Sequence, residues 1–281
     1  MGMTVNTNVS AINAYQNLEA NQMAESNYLT QLSSGTRINK ASDDAAGLVI
    51  SQDLASQVSG YQQATSNAQD GISLVQTAEG ALNETTSILQ RIRTLSIEAA
   101  NATTDSTGLT AIKQEVDQSV QEIDNIANST KYGTLGLFGS GASQANFTFQ
   151  VGAYAGQVIG VQVSGADSAA LGVSNLDSFF SIVSSTNFSF SSAMISTIDS
   201  AINLVTGLRG QLGAYQNELQ HAINNLNVGT QNLSAAESTI RDTDMAQTYS
   251  NYTKEQILVQ TSTSMLAQAN AMPQSVLRLI Q

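Results

Sequence analysis

Asp43 and Asp44 are two adjacent acidic residues in a polar stretch, LSSGTRINKASDDAAGLVIS, at residues 32–51. A carboxylate at the start of a helix accepts hydrogen bonds from backbone N–H groups that lack a partner within the helix, and it favours the positive end of the helix dipole. A catalytic or metal-binding pair would need a further ligand or base, and no histidine is near in the sequence. We therefore interpret the two carboxylates as caps of the helix that follows them.

The remaining sequence offers few residues for catalysis. His221 is the single histidine, and it lies in a helical pattern, ELQHAINNL, where it fits a packing or surface role. The chain has no cysteine, which excludes disulfides and thiolate metal sites. The HExxH, GxSxG and phosphate-binding-loop motifs are missing. We predict that the protein is not an enzyme and that it uses no cofactor and no metal ion.

The composition favours long helices and argues against nucleic acid and membrane partners. The 281 residues include 22 acidic and 10 basic side chains, a net charge of −12, without the basic clusters that bind phosphates. No apolar run approaches the ~20 residues that cross a bilayer, and we expect no cleaved secretory signal at the start. One proline and 5% aromatic residues suit thin layers of helices packed through aliphatic side chains.

Apolar residues spaced by three and four predict helices over most of the chain. After a terminal helix at 5–32, long helices are expected at 43–99, 108–128 and 193–235. Alternating apolar residues in NFTFQV and VIGVQV predict a β-hairpin at 146–164.

Two further segments carry weaker patterns. Residues 164–192 are rich in serine and small side chains, so we expect exposed turns there. In the last segment Pro273 is expected to kink the helix or to end it early. The apolar residues that recur there every seven positions are Leu258, Met265, Met272 and Leu279.

The order of elements is nearly symmetric and predicts a mainly α fold: a long antiparallel helical bundle or coiled coil with a small β-hairpin region and paired N- and C-terminal helices. Ordering the first segment costs ~1–2 kcal/mol of backbone entropy per residue, and its apolar side chains contribute ~1.5–3 kcal/mol each when fully buried. These sums roughly cancel, and a helix pair covers only one face of each helix. We therefore expect stable ends only where identical neighbours enclose them, as in a helical filament built head to tail.

Five motifs, occurring in the same order, resemble those of bacterial flagellins. They are Asn6-Thr7-Asn8 followed by Ala11, Ala14 and Leu18; the stretch at 32–51; NAQDGISLVQTAEGAL at 67–82; SAAESTIRDTDMA at 234–246; and ANAMPQSVLRLI at 269–280. The resemblance covers both ends and most of the centre.

The resemblance implies a structural subunit of the extracellular flagellar filament, which serves bacterial motility. Such a subunit is exported unfolded through the filament channel and polymerises with itself. The implied partners are an export chaperone, the filament cap and hook-junction proteins, with a host Toll-like receptor as a further candidate. The alternative within the flagellum is a hook–filament junction protein, which shares the terminal helices.

The resemblance also implies a division into domains. Residues 1–42 and 241–281 are expected to form an inner-core coiled coil from both termini, and residues 43–240 an outer-core domain that contains the long helices and the hairpin. A large variable outer domain is not expected.

Two sets of functional residues follow from the same resemblance. The polar joints supply the expected hinge and polymerisation residues, which are Gly35, Arg37, Asn39, Asp43, Asp44, Arg241, Asp242 and Asp244. A patch for an innate receptor or a neighbouring subunit is expected from Gln90, Arg91, Leu95, Glu115 and Gln118.

Overall fold

Long helices dominate the computed structural model, which describes residues 7–101, 104–139, 144–176 and 187–280, with backbone only at 187–192 and 273–280. The helices are α1 (Val9–Ser34), α2 (Ala45–Ala99), α3 (Ser106–Ser129), α4 (Asn187–Arg241) and α5 (Met245–Ile280). The strands are β1 (Lys131–Tyr132), β2 (Leu135–Gly136), β3 (Gln144–Gln150) and β4 (Val158–Ser164). The predicted mainly α fold with a small β region is confirmed. The β1–β2 hairpin is an element that the sequence analysis missed.

The chain divides into two compact units. The terminal unit comprises the chain up to residue 58 and from residue 231, and the central unit comprises residues 59–230. The change from one unit to the other falls inside α2 and α4, whereas the sequence analysis placed it at the polar joints. Helix α2 begins directly after the first joint and α4 ends at the second, and both run without interruption through the boundary at 58/59 and 230/231. The joints therefore do not mark the edges of the compact units. The assignment to inner and outer core stays a prediction.

The central unit is built on a core shared by α2, α3 and α4. On α2 the buried positions step by four and three from Ala64 through Leu82 to Ile92, which is the spacing of a coiled-coil seam. Ile198 and Val205 on α4 follow the same spacing and belong to the same apolar cluster. The central unit therefore buries its helical faces without any second molecule.

The β3–β4 hairpin covers part of this core. Phe147 pairs with Val161 and Phe149 with Ile159 in an antiparallel register, so one face of the hairpin is apolar. A Cβ added to Gly71 of α2 would lie 3.3 Å from the Phe149 ring, so glycine lets the strand approach the helix closely. The hairpin predicted from alternation is present, and its strands extend over Gln144–Gln150 and Val158–Ser164.

The segment that follows β4 contradicts the expectation of exposed turns over its described part. Leu171 and Val173 are buried in the core of the central unit. Ser168 donates hydrogen bonds to Asp124 of α3, from its backbone N–H at 2.7 Å and from its hydroxyl at 2.9 Å. Small and polar residues fold inward here because this carboxylate supplies the acceptors that water would otherwise provide. Residues 177–186 of the predicted turns lie outside the described residues.

No helix in the described part of the chain combines the length and the apolar character needed to cross a membrane.

Replacing Asp124 with alanine is expected to lower the free energy of unfolding of the central unit by about 1–3 kcal/mol, because two donors of the largely buried Ser168 lose their acceptor. The measurement is thermal unfolding, combined with amide exchange of residues 165–176. Asp117→Ala on the same helix is the matched control. It removes only an i,i+4 pair with Lys113, which contributes roughly 0.3–0.5 kcal/mol at a surface. Equal effects of the two variants would contradict the clamp.

Candidate assembly surface

Helices α1 and α5 pair in the terminal unit along one antiparallel seam. Asn8 near the start of α1 contacts Ala269, and Asn21 further along contacts Ser262, so residue numbers rise on one helix as they fall on the other. Less exposed positions recur at steps of three and four on both helices, as in a coiled coil. On α1 the seam consists of Ala11, Ala14, Leu18, Asn21, Glu25, Tyr28 and Leu32. On α5 it consists of Thr248, Tyr252, Glu255, Val259, Ser262, Leu266 and Ala269.

The seam leaves many large apolar side chains in contact with water. Helix α1 contains no buried residue at all. Exposed fractions between 44% and 64% are found for Val9, Ile12, Tyr15, Met23 and Leu29 on α1 and for Met245, Tyr249, Ile257, Met265 and Met272 on α5. An exposed apolar patch of this extent marks an interaction surface, because each Å² of it removed from water contributes roughly 25 cal/mol.

The α5 seam differs from the heptad that the sequence pattern predicted. Met265 and Met272 belong to the predicted row of Leu258, Met265, Met272 and Leu279, and both are exposed. Leu258 is half-buried, and the side chain of Leu279 lies outside the described residues. The row facing α1 contains threonine, glutamate and serine, so its apolar signal was weaker than that of the outward row.

The two polar joints meet each other. Gly35 adopts a left-handed backbone with φ of 71° and ends α1, as predicted. Beyond it the backbone N–H of Arg37 donates to the carbonyl of Arg241 at 2.6 Å, and its guanidinium Nη2 donates to the carbonyl of Ile240, also at 2.6 Å. Thr36 pairs with Asp242 as an isolated β-bridge. Three of the predicted hinge residues, Arg37, Arg241 and Asp242, thus lie where the two joints meet.

The predicted aspartates bind backbone N–H groups. Asp44 Oδ1 accepts from the N–H of Gly47 at 2.9 Å in the first turn of α2. Asp244 Oδ1 accepts from the N–H of Ala246 at 2.9 Å at the start of α5. Both contacts are helix caps, in agreement with the interpretation of the carboxylate pair for Asp44.

Asp43 has a different contact from its neighbour. Its Oδ2 accepts from the N–H of Lys40 at 2.8 Å and from that of Asn39 at 3.1 Å, which closes the turn before the helix. The cap interpretation therefore does not hold for Asp43. These two N–H groups, with Lys40 contributing most, hold the pKa of its carboxyl below the ordinary value of 3.8.

The expected receptor or neighbour patch is only partly on the surface. Arg91 and Glu115 form an ion pair between α2 and α3, with Nη2 and Oε1 2.6 Å apart and both side chains more than two-fifths exposed. Gln90 and Gln118 are also exposed. Leu95 is 2% exposed and packs in the core of the central unit, so its side chain is not available to a partner.

Two functional contacts were missed by sequence reasoning. Asn21 Nδ2 donates to Ser262 Oγ at 2.9 Å across the seam, and Asn8 Nδ2 donates to the carbonyl of Ala269 at 2.8 Å. The sequence signal that was available for Asn21 is an asparagine in a seam position, which is typical of register-setting contacts.

Helix α5 continues through Pro273 to Ile280. Of the two outcomes expected for Pro273, the early end is therefore wrong, and the kink stays a prediction.

Catalytic chemistry finds no support at these sites. His221 is exposed on α4. No group of three or more side chains suited to a metal ion occurs in the stretches that the structure describes. What the geometry does supply is a pair of helices with large apolar side chains left uncovered on both. A surface of this kind is typical of a protein that binds other molecules through its helices.

Comparisons with known proteins define this class further. The family model for the bacterial flagellin N-terminal helical region matches residues 5–142, and that for the C-terminal helical region matches residues 195–280. Flagellin from Bacillus subtilis (strain 168) is 42% identical, with 99% of this chain and 100% of the relative covered. The flagellar filament 33 kDa core protein of Treponema phagedenis is 41% identical with the same coverage.

A solved structure agrees at the level of the fold. It is described as a flagellar hook-associated protein from Vibrio parahaemolyticus and has a TM-score of 0.61, 15% sequence identity, and coverage of 71% of this chain and 100% of that chain. The chain belongs to the bacterial flagellin family and is a structural subunit of the flagellar filament.

The lowered pKa of Asp43 predicts an acid-sensitive joint. Because the folded pKa lies below the unfolded value of 3.8, the carboxylate's contribution is complete above about pH 3.8 and is lost as the pH falls through the folded pKa. An NMR titration of the Asp43 carboxyl is expected to give a midpoint below 3.8. In Asp43→Asn, amide exchange at Asn39 and Lys40 is expected to lose this pH dependence. A midpoint at or above 3.8 would contradict the account.

Proposed function

We propose that the chain polymerises head to tail with identical copies into an extracellular filament used for motility. The observation that supports this most directly is the set of ten exposed apolar side chains on α1 and α5, which one helix pair leaves uncovered. A heterologous contact repeated by a non-closing rotation would cover them in every copy and generate a helical polymer. Burial of these side chains is the driving force, and the polar seam sets the arrangement within each copy.

The proposal includes the division of labour expected from the sequence. Residues 1–42 and 241–281 form the inner core, and residues 43–240 form the outer core. Supporting this, α1 and α5 pair with each other, and the central unit has a separate apolar core. The weakly stabilised ends also suit export in an unfolded state, with an export chaperone, the filament cap and hook-junction proteins as partners.

A hook–filament junction protein is the alternative function. The terminal helices fit both, and the structural likeness to a hook-associated protein is a likeness of fold at 15% identity. The curated relatives that cover the whole chain are named as flagellin and as a filament core protein, which favours the filament. Seeded growth separates the two, since a junction protein is not expected to extend a filament over many subunits.

Ile257→Gln tests the proposed assembly surface. This side chain is 64% exposed on α5, so the variant is expected to leave monomer unfolding unchanged. It should raise the critical concentration for growth on filament seeds by roughly ten- to a hundredfold, because an isoleucine buried on assembly contributes ~1.5–3 kcal/mol. Ile257→Met keeps an apolar side chain and is the matched control. Electron microscopy and sedimentation measure growth. Wild-type kinetics in Ile257→Gln would argue against this surface.

We also propose that the exposed residues Gln90, Arg91, Glu115 and Gln118 contact a neighbouring subunit or a host Toll-like receptor. Leu95 acts only from the core beneath them. The Arg91–Glu115 ion pair is exposed, so its net contribution to folding is small, about 0–1 kcal/mol. An exposed pair with a small folding role is free to serve recognition.

A charge swap distinguishes the two roles of this pair. Arg91→Glu combined with Glu115→Arg retains the ion pair within the chain and reverses its presentation to a partner. The double variant is expected to fold as the wild type and to lose polymer growth or receptor signalling at least tenfold. If both readouts remain at wild-type level in the double variant while the single Arg91→Glu variant is impaired, the pair is purely structural.

A further inference from the structure

Helix α5 contains a backbone carbonyl that its own helix cannot satisfy. In an α-helix the N–H of residue i donates to the carbonyl of residue i−4, and proline has no N–H. Pro273 lies within α5 (Met245–Ile280), so the carbonyl of Ala269 loses its helical donor. Ala269 is 8% exposed, and an unsatisfied buried carbonyl is costly. Pro273 is the single proline of the chain, so proline creates such a gap only once.

The missing donor is supplied by α1. Asn8 Nδ2 donates to the carbonyl of Ala269 at 2.8 Å, over a sequence separation of 261 residues. The other side-chain atom of the same residue, Oδ1, accepts from the N–H of Ala11 at 3.1 Å and caps α1. One side chain therefore fills an open acceptor on α5 and an open donor on α1.

We infer that Asn8 and Pro273 together set the axial register of α1 on α5. A shift of α1 by one heptad would preserve the spacing of the seam. It would place Asn8 level with Ser262, whose carbonyl accepts the helical N–H of Leu266. Only at Ala269 does the side-chain N–H of Asn8 meet a carbonyl that lacks its helical donor because of Pro273. This inference rests on the proposed function, because a single register fixes where the exposed apolar side chains of α1 lie relative to those of α5 in the proposed assembly surface.

The Asn8→Asp variant tests the donor function of Asn8 separately from its capping of α1. Aspartate caps a helix as well as asparagine does, but it cannot donate to the carbonyl of Ala269. In seeded growth the variant is expected to raise the critical concentration about tenfold. In the Pro273→Ala background alanine supplies the missing N–H, so the same substitution should cost markedly less. An Asn8→Asp variant that grows like the wild type, or an equal penalty in both backgrounds, would overturn the inference.

Cross-linking reads the register itself, and the chain has no cysteine of its own. Ala14→Cys with Leu266→Cys reports the observed register, and Ala14→Cys with Val259→Cys reports a slip of one heptad. The wild-type background should give the first product. In Asn8→Asp and in Pro273→Ala the second product should form in addition to the first. Pro273→Ala is the sharper test, because alanine satisfies the carbonyl of Ala269, and loss of a contact that only stabilised the helix pair would then leave the register unchanged.

Exclusive formation of the observed-register product in both variants would overturn the inference. Cross-links are scored before seeds are added. A wild-type chain that cross-links correctly and yet fails to grow on seeds contradicts the proposed function and leaves the register result standing.

Discussion

Two helices that pair along one seam can cover only one side of each other. In the terminal unit this geometry leaves α1 without a single buried residue and leaves ten large apolar side chains on α1 and α5 in water. The backbone entropy of ordering, ~1–2 kcal/mol per residue, has to be offset by burial that the pair alone does not provide. The uncovered apolar side chains are thus a consequence of the helix pair itself, and they are what the proposed assembly would bury.

The composition of the seam fits this requirement. Asn21, Ser262 and two glutamates, Glu25 and Glu255, occupy positions that a self-sufficient coiled coil would fill with leucine or isoleucine. Such a seam contributes less apolar burial than leucine or isoleucine would, but it favours one arrangement, because polar groups such as Asn21 and Ser262 need hydrogen-bond partners at the same level. In the proposed assembly, the polar seam specifies how α1 meets α5, and the exposed apolar side chains outside the seam supply the driving force.

The central unit solves the same problem within one molecule. Its helices use the same steps of three and four, but their seam positions carry residues such as Leu82, Ile92 and Val205, and a β-hairpin covers part of the core. Satisfied polar clamps such as Asp124 with Ser168 hold its connecting segment. The central unit therefore has an apolar core of its own, whereas α1 in the terminal unit has no buried residue.

Periodicity predicted the helices and the hairpin, because repeated apolar spacing determines which face of an element avoids water. The symmetric order of these elements predicted the pairing of the termini. Periodicity could not predict which face meets which partner. On α5 the strongest apolar row includes Met265 and Met272, which are exposed, whereas the less exposed row includes Thr248 and Ser262. The contact of Asn8 with Ala269 could not be predicted either. The sequence shows which side chains can donate a hydrogen bond, but not that the carbonyl left without a helical donor by Pro273 lies beside Asn8. If the proposed assembly is correct, the most conspicuous hydrophobic pattern of α5 serves the contact between molecules. The contact within the molecule uses a weaker apolar pattern that polar residues interrupt.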